Sequence, residues 1–176
     1  MAPSRPEIAV WDVPVRILHG SLVLTVAAAW LTRHSAGRWH EWLGYTTLAI
    51  VALRTLWGFV GSRHARFADF IRPASATISY ARDVLAGRES RFIGHNPLGG
   101  WMAVALLAMV VLVGFSGWLY TTDRFWGVAW VEELHETLSD ILFLFVALHI
   151  VGVVFTSIRH RENLVGSMLH GRKRQR

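Results

Sequence analysis

Four long apolar segments alternate with polar connections along the chain. They lie at approximately Pro14–Thr32, Trp39–Val60, Pro97–Tyr120 and Glu133–Ile158. Each segment supplies the roughly 20 helical residues that cross a hydrocarbon core about 30 Å thick. The backbone of a lipid-exposed segment must satisfy its own hydrogen bonds, which favours helices over irregular structure. The pattern predicts an all-α membrane protein, with residues 1–176 forming a single domain that is a four-transmembrane-helix bundle.

The second connection contains a stretch with helical amphipathicity, Ser75–Gly87. Ile78, Ala81 and Leu85 share one face of a helix drawn over this stretch, while its charged side chains lie elsewhere. We interpret residues 75–87 as a short interfacial helix lying on the lipid surface. An ordinary loop with one helical turn is the alternative that the sequence leaves open.

Positive charge is distributed unevenly among the connections. The chain has 18 Lys and Arg against 12 Asp and Glu, a formal net charge of +6. The first connection has only Arg33 and Arg38, whereas the second connection and the tail carry most of the rest: Arg63, Arg66, Arg72, Arg82, Arg88, Arg91, Arg159, Arg161, Arg172, Lys173, Arg174 and Arg176. By the positive-inside rule, both termini are cytoplasmic in a bacterial inner membrane. This explanation of the basic charge removes the reason to expect a nucleic-acid partner.

The first span also has features of a secretory signal. Arg5 and Arg16 precede the apolar run, and the small residues Ala27–Ala29 resemble the cleavage site of a signal peptide. Such a leader would, however, be long and would contain Glu7 and Asp12. We therefore expect the first span to be retained.

The absence of cysteine excludes several kinds of site. The chain has no Cys, so it has no disulfide framework, thiolate zinc site, iron–sulfur cluster or Cys nucleophile. Covalent attachment of a c-type haem requires a C-x-x-C-H motif and is excluded as well.

Four of the nine histidines fall at matching depths in the predicted spans. His135 and His149 are fourteen residues apart on the fourth span, which separates them by about 21 Å and about 40° of rotation. The alternating direction of the spans places His19 near the inner side and His40 near the outer side. Helices at equal depth then pair His19 with His149, and His40 with His135.

Two stacked histidine pairs without cysteine predict two non-covalent b-type haems, each held by two imidazoles. His19 and His149 are predicted to hold the inner iron, and His40 and His135 the outer iron. Single intramembrane histidines are also found as hydrogen-bonded packing residues, and a haem-free transporter using histidine for protons or metal is a competing class. A zincin is excluded because Gly44 and Ser139 stand where H-E-x-x-H requires the second His.

Arginines near the ligands suggest further contacts with the cofactors. Arg16 precedes His19 by three residues, and Arg54 follows His40 by fourteen. We expect both guanidinium groups to pair with haem propionates, the alternative being that they reach lipid phosphates. Arg33 has the same spacing after His19, and its role stays open. The other histidines are interpreted as interfacial or solvated: His34, His64, His95, His160 and His170.

Glycines in the spans have two possible uses. Gly44, Gly114, Gly117 and Gly152 either leave room for a macrocycle or allow close packing of helices. In the second connection, Asn96 is predicted to cap the third span, with Pro97 as its first helical residue.

Several segments are similar to one known family. They are Val10–His19 (VWDVPVRILH), His40–Gly44 (HEWLG), Arg54–Gly61 (RTLWGFVG), Gly94–Gly100 (GHNPLGG) and the fourth span from His135 to His149. Together they resemble the prokaryotic cytochrome b561 and nickel–iron-hydrogenase b-type cytochrome group, which comprises four-helix di-haem membrane proteins. Gly20 departs from the family, which commonly has Trp directly after the first ligand.

The resemblance implies bis-His ligation by the same four histidines and electron transfer between the quinone pool and a partner protein. We expect a di-haem cytochrome that carries electrons across the membrane between quinone or quinol and a periplasmic redox partner, either a c-type cytochrome or a hydrogenase or dehydrogenase subunit. Whether it is a quinone-linked oxidoreductase stays open. The alternative is a haem-bearing membrane anchor of a hydrogenase or dehydrogenase without substrate chemistry of its own. Candidate quinone sites are Arg54 with the inner arginines, or Arg33 with His34.

Overall fold

The computed structural model describes residues 7–34 and 38–174. In chain order, the elements are β1 (Glu7–Ala9), α1 (Val13–Leu31), α2 (Arg38–Val60), α3 (Phe67–Phe70), α4 (Ala74–Leu85), α5 (Pro97–Tyr120), α6 (Ala129–His160), α7 (Leu164–His170) and β2 (Arg172–Arg174). The four long helices α1, α2, α5 and α6 are each long and apolar enough to cross a membrane. The predicted all-α, four-helix membrane architecture is confirmed.

The long helices present apolar side chains outward. Leu24, Leu31, Val60 and Ile158 are between 72% and 79% exposed. In water such a surface would be costly, at roughly 25 cal/mol for each Å² of apolar area. Lipid is the solvent that suits it, and the protein is a multi-pass membrane protein.

Helix α6 begins earlier than the predicted fourth span. It starts at Ala129 rather than Glu133 and contains 32 residues, which corresponds to about 48 Å. The amides of Val131 and Glu132 donate to the carbonyl of Val128, and the Val131 side chain is fully buried. The helix therefore includes one turn, Ala129–Glu132, before the predicted start of the span.

The helix predicted over residues 75–87 is present as α4, and the loop alternative is wrong. Its location at the membrane interface stays a prediction. Tyr80 is its buried side chain, whereas Ile78 is 53% and Leu85 is 89% exposed. The helix ends at Leu85, two residues before the predicted end at Gly87, whose φ of +67° breaks the helical conformation. Its exposed apolar residues therefore lie away from the protein.

The chain forms two compact units. The mid-chain unit comprises Ile17–Leu56 and Val104–Leu148, and the terminal unit comprises Met1–Arg16, Trp57–Ala103 and His149–Arg176. Segments of α1, α2, α5 and α6 build the mid-chain unit. Its core consists of apolar side chains contributed by α2, α5 and α6: Val51, Met109, Val110 and Leu142, with Phe145 and Val146 packed against them.

Asp12 organises the helix ends of the terminal unit. Its Oδ1 accepts a hydrogen bond from the amide of Val15 at 2.8 Å, which caps the start of α1. Its Oδ2 accepts from Trp57 Nε1 at 2.9 Å, joining the start of α1 to the end of α2. Burial raises the pKa of Asp12, but hydrogen bonds from Ser62, Val15 and Trp57 outweigh burial and hold that pKa below its usual value.

The two described ends of the chain meet in the terminal unit. Strands β1 and β2 pair antiparallel, with Ile8 opposite Lys173. The amide of Val10 donates to the carbonyl of Gly171 at 2.8 Å, and Gly171 ends α7 with a φ of +82°. Asn96 Oδ1 accepts from the amide of Gly99 at 2.7 Å, so Asn96 caps α5 as predicted.

Candidate functional site

His40 and His135 lie side by side in the mid-chain unit. His40 is in the first turn of α2, and His135 is in the second turn of α6. The centres of the two imidazole rings are 6.1 Å apart, and the ring planes cross at 85°. The structure therefore brings together the pair that was predicted to hold the outer iron.

Hydrogen bonds to backbone carbonyls determine which ring nitrogen carries the proton. His40 Nδ1 lies 3.0 Å from the carbonyl oxygen of Ala29 on α1. His135 Nδ1 lies 3.1 Å from the carbonyl oxygen of Val113 on α5. Because a carbonyl oxygen can only accept, both Nδ1 atoms are donors, and the lone pair of each neutral imidazole is on Nε2. This is the tautomer that second-sphere carbonyls impose on histidines that bind a metal.

Two small residues of α5 determine where the His135 ring lies. The hydroxyl of Ser116 is 3.0 Å from His135 Nδ1, and Ser116 is only 2% exposed. At Gly117, a Cβ atom would stand 2.9 Å from Cε1 of the same ring. Ser116 thus gives the ring a polar partner, and Gly117 leaves the space that the ring occupies.

The geometry of the His40–His135 pair fits a metal bound between two imidazoles. Bonds of about 2.0–2.1 Å from two Nε2 atoms to one metal place the ring centres about 6 Å apart. Within the described residues, no cluster of three or more His, Asp or Glu side chains could hold a metal. A zinc site needs three or four protein ligands, whereas haem supplies four equatorial nitrogens and needs only an axial pair. The donor set suits a bis-His b-type haem.

The other predicted ligands lie in separate units of the chain. His19 belongs to α1 within the mid-chain unit, and His149 belongs to α6 within the terminal unit. Both side chains are half-buried. His149 keeps the fourteen-residue spacing from His135 on one continuous helix. The pairing of His19 with His149 stays a prediction.

Space for a ring lies beside some of the span glycines. At Gly44, which follows His40 by one helical turn, a Cβ would meet nothing within 4 Å, and the same holds at Gly152, three residues after His149. At Gly114, by contrast, a Cβ would overlap Leu48. The alternative uses of glycine therefore divide: Gly114 and Gly117 allow close packing, while Gly44 and Gly152 border open space.

The two arginines expected near haem propionates have different surroundings. Arg54 is 7% exposed within α2, which is exceptional for a guanidinium in an apolar span. Arg16 donates through Nη2 to the carbonyl of Leu169 in the last turn of α7. Its Nε is buried without a hydrogen-bond partner among the described residues. Capping of α7 is a role for Arg16 that the sequence did not indicate.

Arg33 and His34 are engaged with each other at the end of α1. Arg33 Nε donates to His34 Nε2 at 2.9 Å, and the guanidinium carbon lies 3.5 Å from the centre of the Trp30 ring. Trp30 in turn stacks on Phe143 with ring centres 3.6 Å apart. The structure thus gives Arg33 a cation–π contact.

Histidines expected at interfaces or in solvent are partly packed. His95 lies between aromatic rings, with its centre 4.9 Å from that of Trp11 and 4.5 Å from that of Phe70. Of the two expectations for His95, a solvated ring does not fit these contacts, and an interfacial position stays a prediction. Burial and the neighbouring Arg63 guanidinium lower the pKa of His64, which keeps its imidazole neutral near pH 7. His170 Nδ1 accepts from the amide of Arg172 at 3.2 Å, next to the end of α7.

Sequence reasoning missed the groups that orient the two rings. Two are backbone carbonyls, those of Ala29 and Val113, for which no side-chain signal exists. Ser116 does leave a signal, since it is a polar residue followed by Gly117 in an otherwise apolar run. Helical periodicity does not reveal that this polar position faces a histidine of another span.

Comparisons with known proteins point to one family. Residues 10–171 match the family of prokaryotic cytochrome b561. A probable Ni/Fe-hydrogenase B-type cytochrome subunit of Bradyrhizobium diazoefficiens is 25% identical, with 99% of this chain and 89% of that protein covered. A protein of the same description from Rhizobium leguminosarum bv. viciae is 22% identical, with 98% and 91% covered. No solved structure matches the chain significantly.

Proposed function

The chain belongs to the prokaryotic cytochrome b561 family, and from that membership we propose that it is a di-haem cytochrome b. In this proposal it carries electrons across the bacterial inner membrane between the quinone pool and a periplasmic redox partner. Its two haems are non-covalent b-type groups, each held by two histidines. The family itself establishes a membrane-bound b-type cytochrome.

The observation that carries the proposal is the His40–His135 pair. The 6.1 Å separation of the rings and the carbonyl hydrogen bonds at both Nδ1 atoms support an iron site between the two Nε2 atoms. We assign His40 and His135 to the outer haem. We assign His19 and His149 to the inner haem, supported by the fourteen-residue spacing along α6.

Bis-histidine ligation determines the type of chemistry. If each haem were held by two of these histidines, no position would remain for oxygen or substrate, and the haem would supply one-electron transfer. Backbone carbonyls of the chain keep His40 and His135 in the tautomer with the proton on Nδ1. Between His135 and His149, helix α6 contributes Leu142, Phe145 and Val146 to the apolar core.

Charged residues are assigned supporting roles. We propose that Arg54 pairs with a haem propionate, supported by its burial in an apolar helix, where a guanidinium requires a counter-charge. Arg16 has the same proposed role through Nε, while its Nη2 stays on Leu169. The arginines of the terminal unit support a cytoplasmic location of both termini by the positive-inside rule. The exposed Ile78 and Leu85 of α4 then contact membrane lipid.

The partner is inferred from the relatives. Both are described as probable subunits of a Ni/Fe-hydrogenase, which favours a hydrogenase or a similar dehydrogenase as the periplasmic partner over a c-type cytochrome. The same descriptions support a second candidate function, a haem-bearing anchor subunit without quinone chemistry. Reduction of the haems by quinol separates the two candidates.

The test is a haem and quinol assay on the purified full chain in detergent. We expect two b-type haems per chain and reduction of both by a ubiquinol or menaquinol analogue in the absence of any partner. His135→Ala should retain one haem, and His34→Ala should retain two, as the matched control. A protein without haem contradicts the proposal, and a di-haem protein that quinol cannot reduce favours the anchor.

A further inference from the structure

The two rings of the His40–His135 pair have different hydrogen-bond partners. His40 Nδ1 has the backbone carbonyl of Ala29. His135 Nδ1 has the backbone carbonyl of Val113 and, in addition, the hydroxyl of Ser116 at 3.0 Å. Of these acceptors only Ser116 is a side chain, and it is therefore the one that a substitution can remove without changing either ligand.

The hydroxyl of Ser116 is part of a directed chain of hydrogen bonds. Its Oγ–H donates to the carbonyl of Val113 at 2.9 Å, so its lone pairs are available to accept from His135 Nδ1–H. Because the His135 Nδ1–H proton is shared between this hydroxyl and the Val113 carbonyl, the His135 ring acquires more anionic character. The ring then becomes a more basic ligand at Nε2.

Ser116 also lies where solvent has little access. It is 2% exposed, and it directly precedes Gly117, whose missing Cβ provides the space for the His135 ring. Loss of the hydroxyl leaves His135 Nδ1–H with the Val113 carbonyl alone, and leaves the rotation of the ring less restricted.

We propose that Ser116 is a positioning residue that holds the His135 imidazole in its iron-binding orientation and sets the basicity of that ligand. The inference rests on the proposed role of His135 as a haem ligand. A more basic ligand favours ferric over ferrous iron, so the serine keeps the reduction potential of this haem lower than an apolar residue would.

The test uses Ser116→Ala in the full chain, with Thr47→Val as the matched control. Thr47 is 6% exposed and its hydroxyl donates to the carbonyl of Leu43 at 2.7 Å within its own helix, so it shares the burial and the chemistry without contact to a ligand ring. Haem content, optical redox titration and the EPR spectrum of the oxidised protein are measured for each variant. The haem that is missing in His135→Ala identifies which signals belong to this site.

We expect Ser116→Ala to retain two haems, to raise the midpoint potential of the His135 haem alone, and to shift only the low-spin ferric EPR signal of that haem. Transfer of this haem to apomyoglobin should be about 10-fold faster, at the lower end of the usual cost of removing an outer-sphere partner, because the Val113 carbonyl remains. Ser116→Thr, which keeps a hydroxyl, should lie closer to the wild type. Thr47→Val should match the wild type in all four measurements, including haem transfer.

Different outcomes would overturn the role of Ser116 and the proposed function on which that role rests. If His135→Ala retains both haems with unchanged spectra, the ligand assignment and the role of Ser116 both fail. If His135→Ala loses one haem but Ser116→Ala has wild-type potentials and EPR signals, the role of Ser116 alone fails. Should Ser116→Ala not assemble, Ser116→Cys keeps the size with a weaker acceptor, and an unshifted EPR signal there overturns the inference equally.

Discussion

In the mid-chain unit the described core is apolar, and the hydroxyl groups of Thr47 and Ser139 donate to carbonyls of their own helix. In the terminal unit, segments far apart in the sequence are joined by ion pairs and side-chain hydrogen bonds, such as Arg159 with Glu89 and Arg91 with Glu162. The contrast follows from solvent. In lipid, every polar group must find a partner nearby, whereas at the membrane surface water lowers the cost of charges.

This difference affects what each unit can hold. The mid-chain unit is suited to hold a pair of imidazoles in fixed orientations, since two carbonyls and Ser116 accept from their Nδ1–H groups. The terminal unit is suited to connect the two described ends of the chain through β1 and β2. Substitutions in the two units should therefore differ in how much they change the free energy of unfolding and in how that change depends on pH.

The largest effect is expected from a cavity in the mid-chain core. Leu142 is 5% exposed, and Leu142→Ala should lower the free energy of unfolding by about 2–5 kcal/mol, because the lost methyl groups leave a void. Leu144 lies two residues away on the same helix and is 57% exposed. Leu144→Ala is the matched control and should leave the thermal midpoint in detergent nearly unchanged. Equal losses in both variants would mean that the core does not lie where the structure places it.

A smaller effect is expected at the hydrogen-bonded junction of the terminal unit. Asp12→Ala removes the acceptor for Val15 and Trp57 and should cost about 1–3 kcal/mol. Asp69→Ala removes the partially exposed pair with Arg66 and a negative charge near His64, and it should cost about 1 kcal/mol or less. Thermal unfolding of both variants at neutral pH measures the difference in stability. If Asp12→Ala lost no more stability than Asp69→Ala, the hydrogen bonds of Asp12 would not stabilise the terminal unit as proposed.

The lowered pKa of Asp12 predicts a pH dependence with a definite sign. A carboxylate whose pKa is lower in the folded protein stabilises the fold fully above its unfolded pKa of about 3.9, and this contribution is lost as the pH falls through the folded pKa. Asp12→Asn should therefore show a smaller loss of stability than the wild type when the pH is lowered below about 4. If Asp12→Asn lost stability in acid as steeply as the wild type, Asp12 would not be the cause of the pH dependence.

The smallest effect is expected at Lys173, the buried cation of β2. Burial, the largest cause, lowers its pKa, Glu162 acts in the opposite direction, and Arg91 lowers the pKa further. Lys173→Met should therefore be as stable as the wild type or more stable by up to about 1 kcal/mol at pH 7, because the charge is unfavourable in this position.

The sign of the Lys173 effect can be followed with pH. The folded protein binds this proton less tightly than the unfolded chain does, so the wild type gains stability as the pH rises from the folded pKa toward about 10.4. The advantage of Lys173→Met should shrink over that range. Arg172→Met, at a neighbouring position where the side chain is 65% exposed, is the control and should have no advantage. A wider gap at high pH would contradict the account.

The sequence predicted most of the fold because lipid imposes a simple rule. Apolar segments of about 20 residues must form helices, and the fourteen-residue spacing of His135 and His149 determines their relative depth and face. For the same reason His40 and His135 could be paired from topology, and the structure places their rings together.

The parts that the sequence did not predict depend on contacts without a periodic signal. The pairing of β1 with β2 joins residues more than 160 positions apart through three-residue strands. Arg16 binds a carbonyl of α7, and His40 and His135 are oriented by backbone carbonyls. Backbone groups are identical at every residue, so their use as partners becomes visible only when the helices are packed.

The central claim is that four histidines form two haem sites as fixed pairs, and haem stoichiometry of double variants tests it most directly. His40→Ala with His135→Ala removes both ligands of one site, so this variant should retain one haem per chain. His40→Ala with His149→Ala removes one ligand from each site and should retain none. One haem in the second double variant and none in the first would contradict the pairing.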